Sequence, residues 1–485
     1  MTCQQVFDFG NQLIKADVCI IESDAGEVQE KETTTYALKT MMSVLFWLAL
    51  CEPPVKTKPG IVNGKTNTVM FRDKQFVVME FLGVPYAKPP MGELRFQRPQ
   101  PYGAYQQPVD ETNYGLSCPQ AKIKDTSINI GGRSDNEDCL FLNLFVPANK
   151  SDTGAHHALM VWMIHGGGYT NGDGNMTTGT VLAGYGNVIV VTINYRLGMF
   201  GFLNVGDERV KGNMGLWDQR LAFKWVNENV DAFGGDPSRI TIFGESSGAM
   251  GAHLHSLYPE NRGLFQKVIS ESGTATFPIP VESGNIPAAR IFTEQLECRT
   301  DTNDDIVQCL KSVDTERFID VAEVITDNPT LSHQKSVFSI FRNGSHSYTW
   351  RRIILGINFG YHLDNEKWFN ATNYQPPERK LNVSERVMTY WTNFAKFGDP
   401  NGDGPVIWPK YTLETMQHLV IDEEDSIGQR LYTKEYQFWR ETVPALLEAI
   451  ENGAHAGDSI RISSAGFIEN NLGWNLGCIL KKWNV

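Results

Sequence analysis

Long apolar runs are missing from this chain. Nowhere among its 485 residues do eighteen or more apolar residues follow one another, so no membrane-spanning helix or anchor is expected. Positive charge is scarce as well: Lys and Arg number 43 against 56 Asp and Glu, a formal charge of −13. Nucleic acid and anionic membrane each need a basic face, so neither is expected as a partner. Internal repeats, low-complexity tracts and Pro- or Ser-rich linkers do not occur, and no heptad pattern indicates an oligomeric state. What remains, 41% apolar and 20% charged, is the composition of an ordinary soluble globular protein. One domain is expected over residues 55–445. Residues 446–485 form a tail without clear periodicity.

A targeting signal lies inside the chain rather than at its start. "MMSVLFWLALCEPP" has an apolar core from Val44 to Leu50, with small residues at Ala49 and Cys51 ahead of Glu52. That is the layout of a secretory signal peptide over 41–51 with cleavage near Cys51; the alternative is a short buried helix. Since signal peptides begin chains, residues 1–40 are expected to be a leader from a start assigned upstream of the true one. Sequons for N-glycosylation at Asn149, Asn175, Asn343, Asn370 and Asn382 agree with secretion. Of the eight cysteines, five follow the signal. Their spacing suggests disulfides Cys118–Cys139 and Cys298–Cys309 with Cys478 left over, although spacing alone does not fix pairing. Buried free thiols are the alternative.

From residue 158 onward strand and helix signals alternate. "ALMVWMI" and "VIVVTIN" are apolar, β-branched runs suited to strands covered on both faces. "LWDQRLAFKWVNENV" is helical, with Leu221 and Trp225, and Ala222, Val226 and Val230, on successive turns. "RITIF" and "FQKVIS" are further strands. The alternation predicts an α/β fold with a mostly parallel central sheet and helices on both faces.

Two glycine-rich stretches carry chemistry. In "RITIFGESSGAMGAHLH" a strand enters Gly244-Glu245-Ser246-Ser247-Gly248 and leaves as a helix, the strand–turn–helix setting of a nucleophile elbow. The sharp turn lifts the Ser246 hydroxyl clear of the sheet, and the helix N-terminus offers partial positive charge to an anionic intermediate. In "VWMIHGGGYTNGDG" a strand ends in His165-Gly166-Gly167-Gly168, a loop whose backbone can approach a substrate oxygen with no Cβ between. Gly167, Gly168 and the Ser247 N–H are the expected oxyanion donors. Losing one such donor typically costs about 3 kcal/mol of transition-state stabilisation.

Four blocks now resemble one family. "EDCLFLNLFVP" (137–147), "FGGDPSRITIFGESSG" (233–248), "FLGVPYAKPPMGELRFQRP" and "YWTNFAKFGDPNGDGPVIWPKY" are similar to the signature stretches of the type-B carboxylesterase and cholinesterase family, which has the α/β-hydrolase fold. The resemblance spans roughly 55–445. It implies the same two disulfides and a Ser–Glu–His triad with Ser246 as nucleophile, acting on a small-molecule ester without metal or organic cofactor. Cholinesterases carry a tryptophan between the first pair of cysteines, where cation–π attraction holds a quaternary ammonium. Here "PQAKIKDTSINIGGRSDNED" has no aromatic, which argues against choline esters.

The triad's other half is where the sequence departs from the family. "RRIILGINFGYHLDNEKWF" (351–369) has room for the acid-bearing strand or the histidine turn, not both. Aligned one way, Phe359 stands where the base belongs. Aligned the other way, "IILGIN" is the acid strand and the chain jumps near Asn358 into the base turn at His362. The run-up "VITDNPTLSHQKSVF" favours the second alignment, with His362 as base and no identifiable acid. A contiguous block around 320–370 is expected to be missing, and intact nucleophile and oxyanion loops point to mis-joined exons rather than decay. The expectation is a secreted serine carboxylic-ester hydrolase. The competing reading is a catalytically inactive binding protein like the cholinesterase-like adhesion molecules.

Overall fold

The computed structural model describes residues 54–110, 112–121, 133–151, 156–162, 167–275, 282–327, 377–401, 407–430, 459–460 and 474–475. They belong to two compact units that divide after Gly402.

The first unit is organised by a seven-stranded sheet. Its strands in chain order are β1 (Lys65–Phe71), β2 (Lys74–Pro85), β3 (Phe141–Pro147), β4 (His157–Trp162), β5 (Ile189–Ile193), β6 (Gly235–Glu245) and β7 (Lys267–Glu271). In space they run β7-β6-β4-β5-β3-β2-β1. The α/β class and the strands read from "ALMVWMI", "VIVVTIN", "RITIF" and "FQKVIS" are present. The sheet is parallel only in the half built after residue 156, where β4, β5, β6 and β7 pair in parallel. β3 is antiparallel to β5 and β2, and β2 to β1, so the sheet is mixed rather than mostly parallel. The reason is connection length. β1 and β2 are joined by a tight turn at Arg72 and Asp73, which can only produce antiparallel neighbours, whereas each parallel step is bridged by a helix.

Those bridging helices are α1 (Thr180–Gly186), α2 (Met214–Asn229) and α3 (Ser247–Leu257). The helix α7 (Glu378–Phe397) completes the layers. On one face of the sheet α1 meets α7, with the Tyr185 hydroxyl 3.0 Å from Thr389 Oγ1. On the other face Ala222, Phe223 and Val226 of α2 and Ala252 of α3 share one core with Ile240 and Ile242 of β6. The helical stripe read from Ala222, Val226 and Val230 is buried; Phe223 and Trp225 join it.

The chain passes from β4 outward to β5, then returns across β4 to place β6 on its far side. This reversal opens a crevice at the carboxyl ends of β4 and β6, the usual place for ligands in such sheets.

A second core lies beneath α4 (Glu282–Gln295), α5 (Asn303–Ser312) and α6 (Thr315–Asp327), where Phe292 and Phe318 pack with Phe96 and Phe200. The buried Arg95 pairs with Glu137 and donates to the carbonyls of Leu310 and Val313 at 3.0 and 2.6 Å. Both expected disulfides are formed: Cys118–Cys139 and Cys298–Cys309, with Cα atoms 4.9 and 5.7 Å apart. Among the described residues no helix is long and apolar enough to cross a membrane.

The second unit contributes the antiparallel pair β8 (Gln417–Val420) and β9 (Ser426–Gln429). His418 lies opposite Gly428 there, so close that a Cβ at 428 would fall 2.4 Å from its ring. In the tail, Ser459–Ile460 pairs with Trp474–Asn475.

Candidate active site

β6 delivers Ser246 to the crevice in a conformation few L residues adopt, φ 53° and ψ −118°. Such a backbone persists only where its surroundings over-determine it. Here the Ser246 N–H donates to the Glu271 carbonyl at the end of β7 (2.8 Å), and the Ser246 carbonyl accepts the Met250 N–H (3.0 Å), the first bond of α3. Two glycines leave room for the bend. A Cβ at Gly244 would lie 2.7 Å from the Gly248 backbone, and one at Gly273 would lie 2.4 Å from the Ser246 carbonyl oxygen. Gly244 belongs to the motif read in the sequence. Gly273 sits 27 positions downstream, and only the pairing of β6 with β7 reveals that it faces the serine.

The glycine loop follows β4, the neighbour of β6, with Trp162 and Phe243 as paired positions. Gly167 has φ 118° and Gly168 φ 63°. The Gly167 carbonyl accepts the Thr170 N–H and hydroxyl at 2.9 and 2.7 Å and the Asn171 N–H at 3.3 Å, closing a tight turn after the loop. Among the described residues neither the Gly167 nor the Gly168 N–H has a hydrogen-bond partner. His165 and Gly166 lie outside the described residues.

Ser247, at the first turn of α3, is fully buried beside Tyr195. Tyr195 stands just beyond β5; burial raises its pKa well above the ordinary tyrosine range. Beside it, Arg196 forms a bidentate pair with the buried Asp218 at 2.8 and 2.7 Å. The carboxyl ends of four neighbouring strands therefore contribute one segment each to the site.

The histidines of α3 are committed elsewhere. His255 is buried, with Nε2 donating to Gln219 Oε1 (3.0 Å) and Nδ1 accepting from Asn261 Nδ2 (3.0 Å). Burial, with the Arg220 charge second, lowers its pKa to about 3. His253 accepts the Ala275 N–H at Nδ1 (3.1 Å), bracing the loop after β7. His362, the expected base, and Phe359, its rival for that position, lie outside the described residues. Asn343 and Asn370 do too. Asn149, Asn175 and Asn382 are exposed. Asn382 lies on α7, where its Oδ1 accepts from Arg72, which leaves the amide nitrogen that a glycan would use.

Two carboxyl groups went unread in the sequence. Glu245 and Glu271 are paired positions at the ends of β6 and β7, on either side of the serine's own hydrogen bond. Burial raises the Glu245 pKa to about 7. Burial foremost, and the Glu245 charge, raise Glu271 to about 8 against the opposing effect of a hydrogen bond from Trp391. Nothing in a single sequence marks them, because their proximity depends on strand register. Among the described residues no three His, Cys, Asp or Glu side chains converge to hold a metal ion.

Sheet order, crossovers and elbow together define an α/β-hydrolase. Comparison with known proteins gives the family: the Carboxylesterase family matches over residues 52–345 and 337–439, and the chain belongs to it. Carboxylesterase 5A of Felis catus is 29% identical over 547 aligned positions that cover 86% of this chain and 99% of the relative. Liver carboxylesterase B-1 of Rattus norvegicus is 39% identical over 382 positions, covering 74% of this chain and 67% of the relative. Neuroligin-2 of Mus musculus is 38% identical over 570 positions, covering 81% and 68%.

Proposed function

We propose that the chain is a secreted serine carboxylic-ester hydrolase working through an acyl-enzyme on Ser246. The observation that carries this reading is the strained elbow, with Ser246 at φ 53° between β6 and α3. Strained backbone of this kind clusters at active sites, where the strain serves the chemistry. In the proposed reaction Ser246 attacks the acyl carbonyl while the N–H groups of Gly167, Gly168 and Ser247 stabilise the oxyanion. His362 takes the serine proton and returns it to the leaving alcohol, and water then releases the acid. Two disulfides and exposed sequons support an extracellular location.

A second reading, binding without turnover, has its own observation. The two matched segments meet at 337–345, ahead of the 351–369 stretch, which favours the alignment that places Phe359 in the base position. Coverage also supports a missing block. The 547 positions aligned with the cat relative hold about 417 residues of this chain (86% of 485), leaving about 130 occupied by the relative alone. A serine without a base is a weak nucleophile at neutral pH.

Turnover of a p-nitrophenyl ester separates the two. The hydrolase reading predicts measurable turnover that Ser246→Ala lowers by several powers of ten. Absence of turnover in the unaltered chain favours the binding reading, and turnover unaffected by Ser246→Ala removes the serine assignment.

A further inference from the structure

We propose that Glu245 and Glu271 form a proton-sharing pair that positions the nucleophile elbow and governs the pH range over which Ser246 reacts. The second half of this proposal rests on the hydrolase reading of the same site; the first half does not.

The pairing follows from strand geometry. Side chains alternate along a strand, so Thr241, Phe243 and Glu245 leave β6 on one face, and Lys267, Ile269 and Glu271, their register partners, leave β7 on the same face. That face is the one under α7. Lys267 Nζ donates to the Ala395 carbonyl (2.9 Å) and Trp391 Nε1 to Glu271 Oε1 (2.6 Å), both on α7. The opposite face belongs to α3, where the Ser270 hydroxyl reaches the Ala249 carbonyl (3.3 Å). The two carboxyl groups therefore emerge side by side at the last rung of neighbouring strands, where strand spacing sets their backbones about 4.8 Å apart.

Little nearby offsets a second negative charge. On this face the described cations are Lys267, two rungs back and bonded to a carbonyl, and Arg239, at the far end of β6 and paired with Asp236. From α7 the buried, sheet-facing side chains include one titratable group, Tyr390, beside Trp391. From α3, His253 is bonded to the Ala275 N–H. On β4 the neighbour of Phe243 is Trp162. Two carboxylates at this spacing, half-buried, do not ionise independently: the first charge holds the second proton. The Trp391 bond, made to the charged form of Glu271, works in the other direction.

The pair is joined to the nucleophile through backbone at both members. Glu245 precedes Ser246 directly, and the Glu271 carbonyl accepts the Ser246 N–H. With one proton shared, the elbow carries one negative charge, which favours an imidazolium formed by a base. Loss of the second proton adds a charge that opposes the oxyanion. The same ionisation carries a stability effect of fixed sign. Both pKa values stand above those of the unfolded chain, so the native state holds more protons between about pH 4.5 and 8, and stability falls as pH rises through that interval.

The test combines a carboxyl titration, by infrared difference spectroscopy of the full chain, with the rate of Ser246 labelling by a fluorophosphonate from pH 5 to 9. Glu271→Gln and Trp391→Phe serve as variants. The expected result is a carboxyl signal that persists above pH 6 in the unaltered chain. Its apparent pKa rises in Trp391→Phe, and its late step disappears in Glu271→Gln. Labelling should fall by up to about tenfold per unit above pH 8, a limb that Glu271→Gln flattens and Trp391→Phe displaces upward. Both carboxyls ionised by pH 6 would overturn the pair, and a limb unmoved by either variant would overturn its link to the serine. Should no pH give labelling, the hydrolase reading fails. The carboxyl titration, with the predicted smaller loss of melting temperature between pH 5 and 8 in Glu271→Gln, then decides the pair alone.

Discussion

Ser246 occupies backbone space that costs an L residue roughly 1–3 kcal/mol, and its neighbours hold it there. Its N–H is tied to Glu271, its carbonyl to Met250, and Gly273 lies where any Cβ would strike its carbonyl oxygen at 2.4 Å. The clash at Gly273 involves backbone on the struck side, so no side-chain rotation relieves it. Gly273→Ala is therefore expected to destabilise the protein by roughly 1–3 kcal/mol through overpacking and strain. At temperatures where the variant remains folded, it should slow fluorophosphonate labelling by tenfold or more, because an elbow shifted by a fraction of an ångström misaims the hydroxyl. Thermal melting and labelling rate read the two effects separately, and an unchanged labelling rate would show that the elbow does not depend on this contact. The sequence displayed the serine and Gly244 in one motif. Gly273, Glu245 and Glu271 became visible only when strand register brought distant segments together.

At the level of elements, the site consists of what emerges from the carboxyl ends of β4, β5, β6 and β7. The sheet places these ends in a row, and the helices fix the loops that follow. Four of the strands and helix α2 were legible because a strand covered on both faces must be apolar throughout and a helix must repeat its buried positions every three to four residues. The antiparallel half was not legible, since β1 and β2 alternate too irregularly to announce pairing and their tight turn carries no Asn-Gly or Asp-Gly signal. Outside the sheet, Arg95 is the fastening between the first unit's core and the α5–α6 connection, its charge shared by Glu137 and by carbonyls at Leu310 and Val313. Removing one member of a buried pair leaves the other uncompensated, which typically costs about 3–5 kcal/mol. Arg95→Ala is expected to show a loss of that size in denaturant unfolding. A loss below about 1 kcal/mol, the range of an exposed pair, would mean that the pair is hydrated and that α5 and α6 are held by their apolar contacts alone.

For the whole molecule, fold class, family resemblance and both disulfides were readable from the chain because four separate blocks and two cysteine pairs are kept in sequence order. The triad was not, because the stretch from 351 to 369 fits two alignments, one with Phe359 where the base belongs and the other with "IILGIN" as the acid strand and the base turn at His362. The half of the site that the structure describes consists of a strained serine, a glycine loop with positive φ, and a second serine fully buried beside Tyr195. The central claim is that this half takes an acyl group. The most direct measurement is the mass of the Ser246 peptide after brief reaction with p-nitrophenyl acetate and acid quenching. The account predicts an acetyl adduct on Ser246 and on no other residue, formed with release of one equivalent of nitrophenol and lost on longer incubation as water completes the cycle. An unmodified Ser246 peptide, at concentrations of ester that acylate a known serine esterase in the same assay, would contradict it.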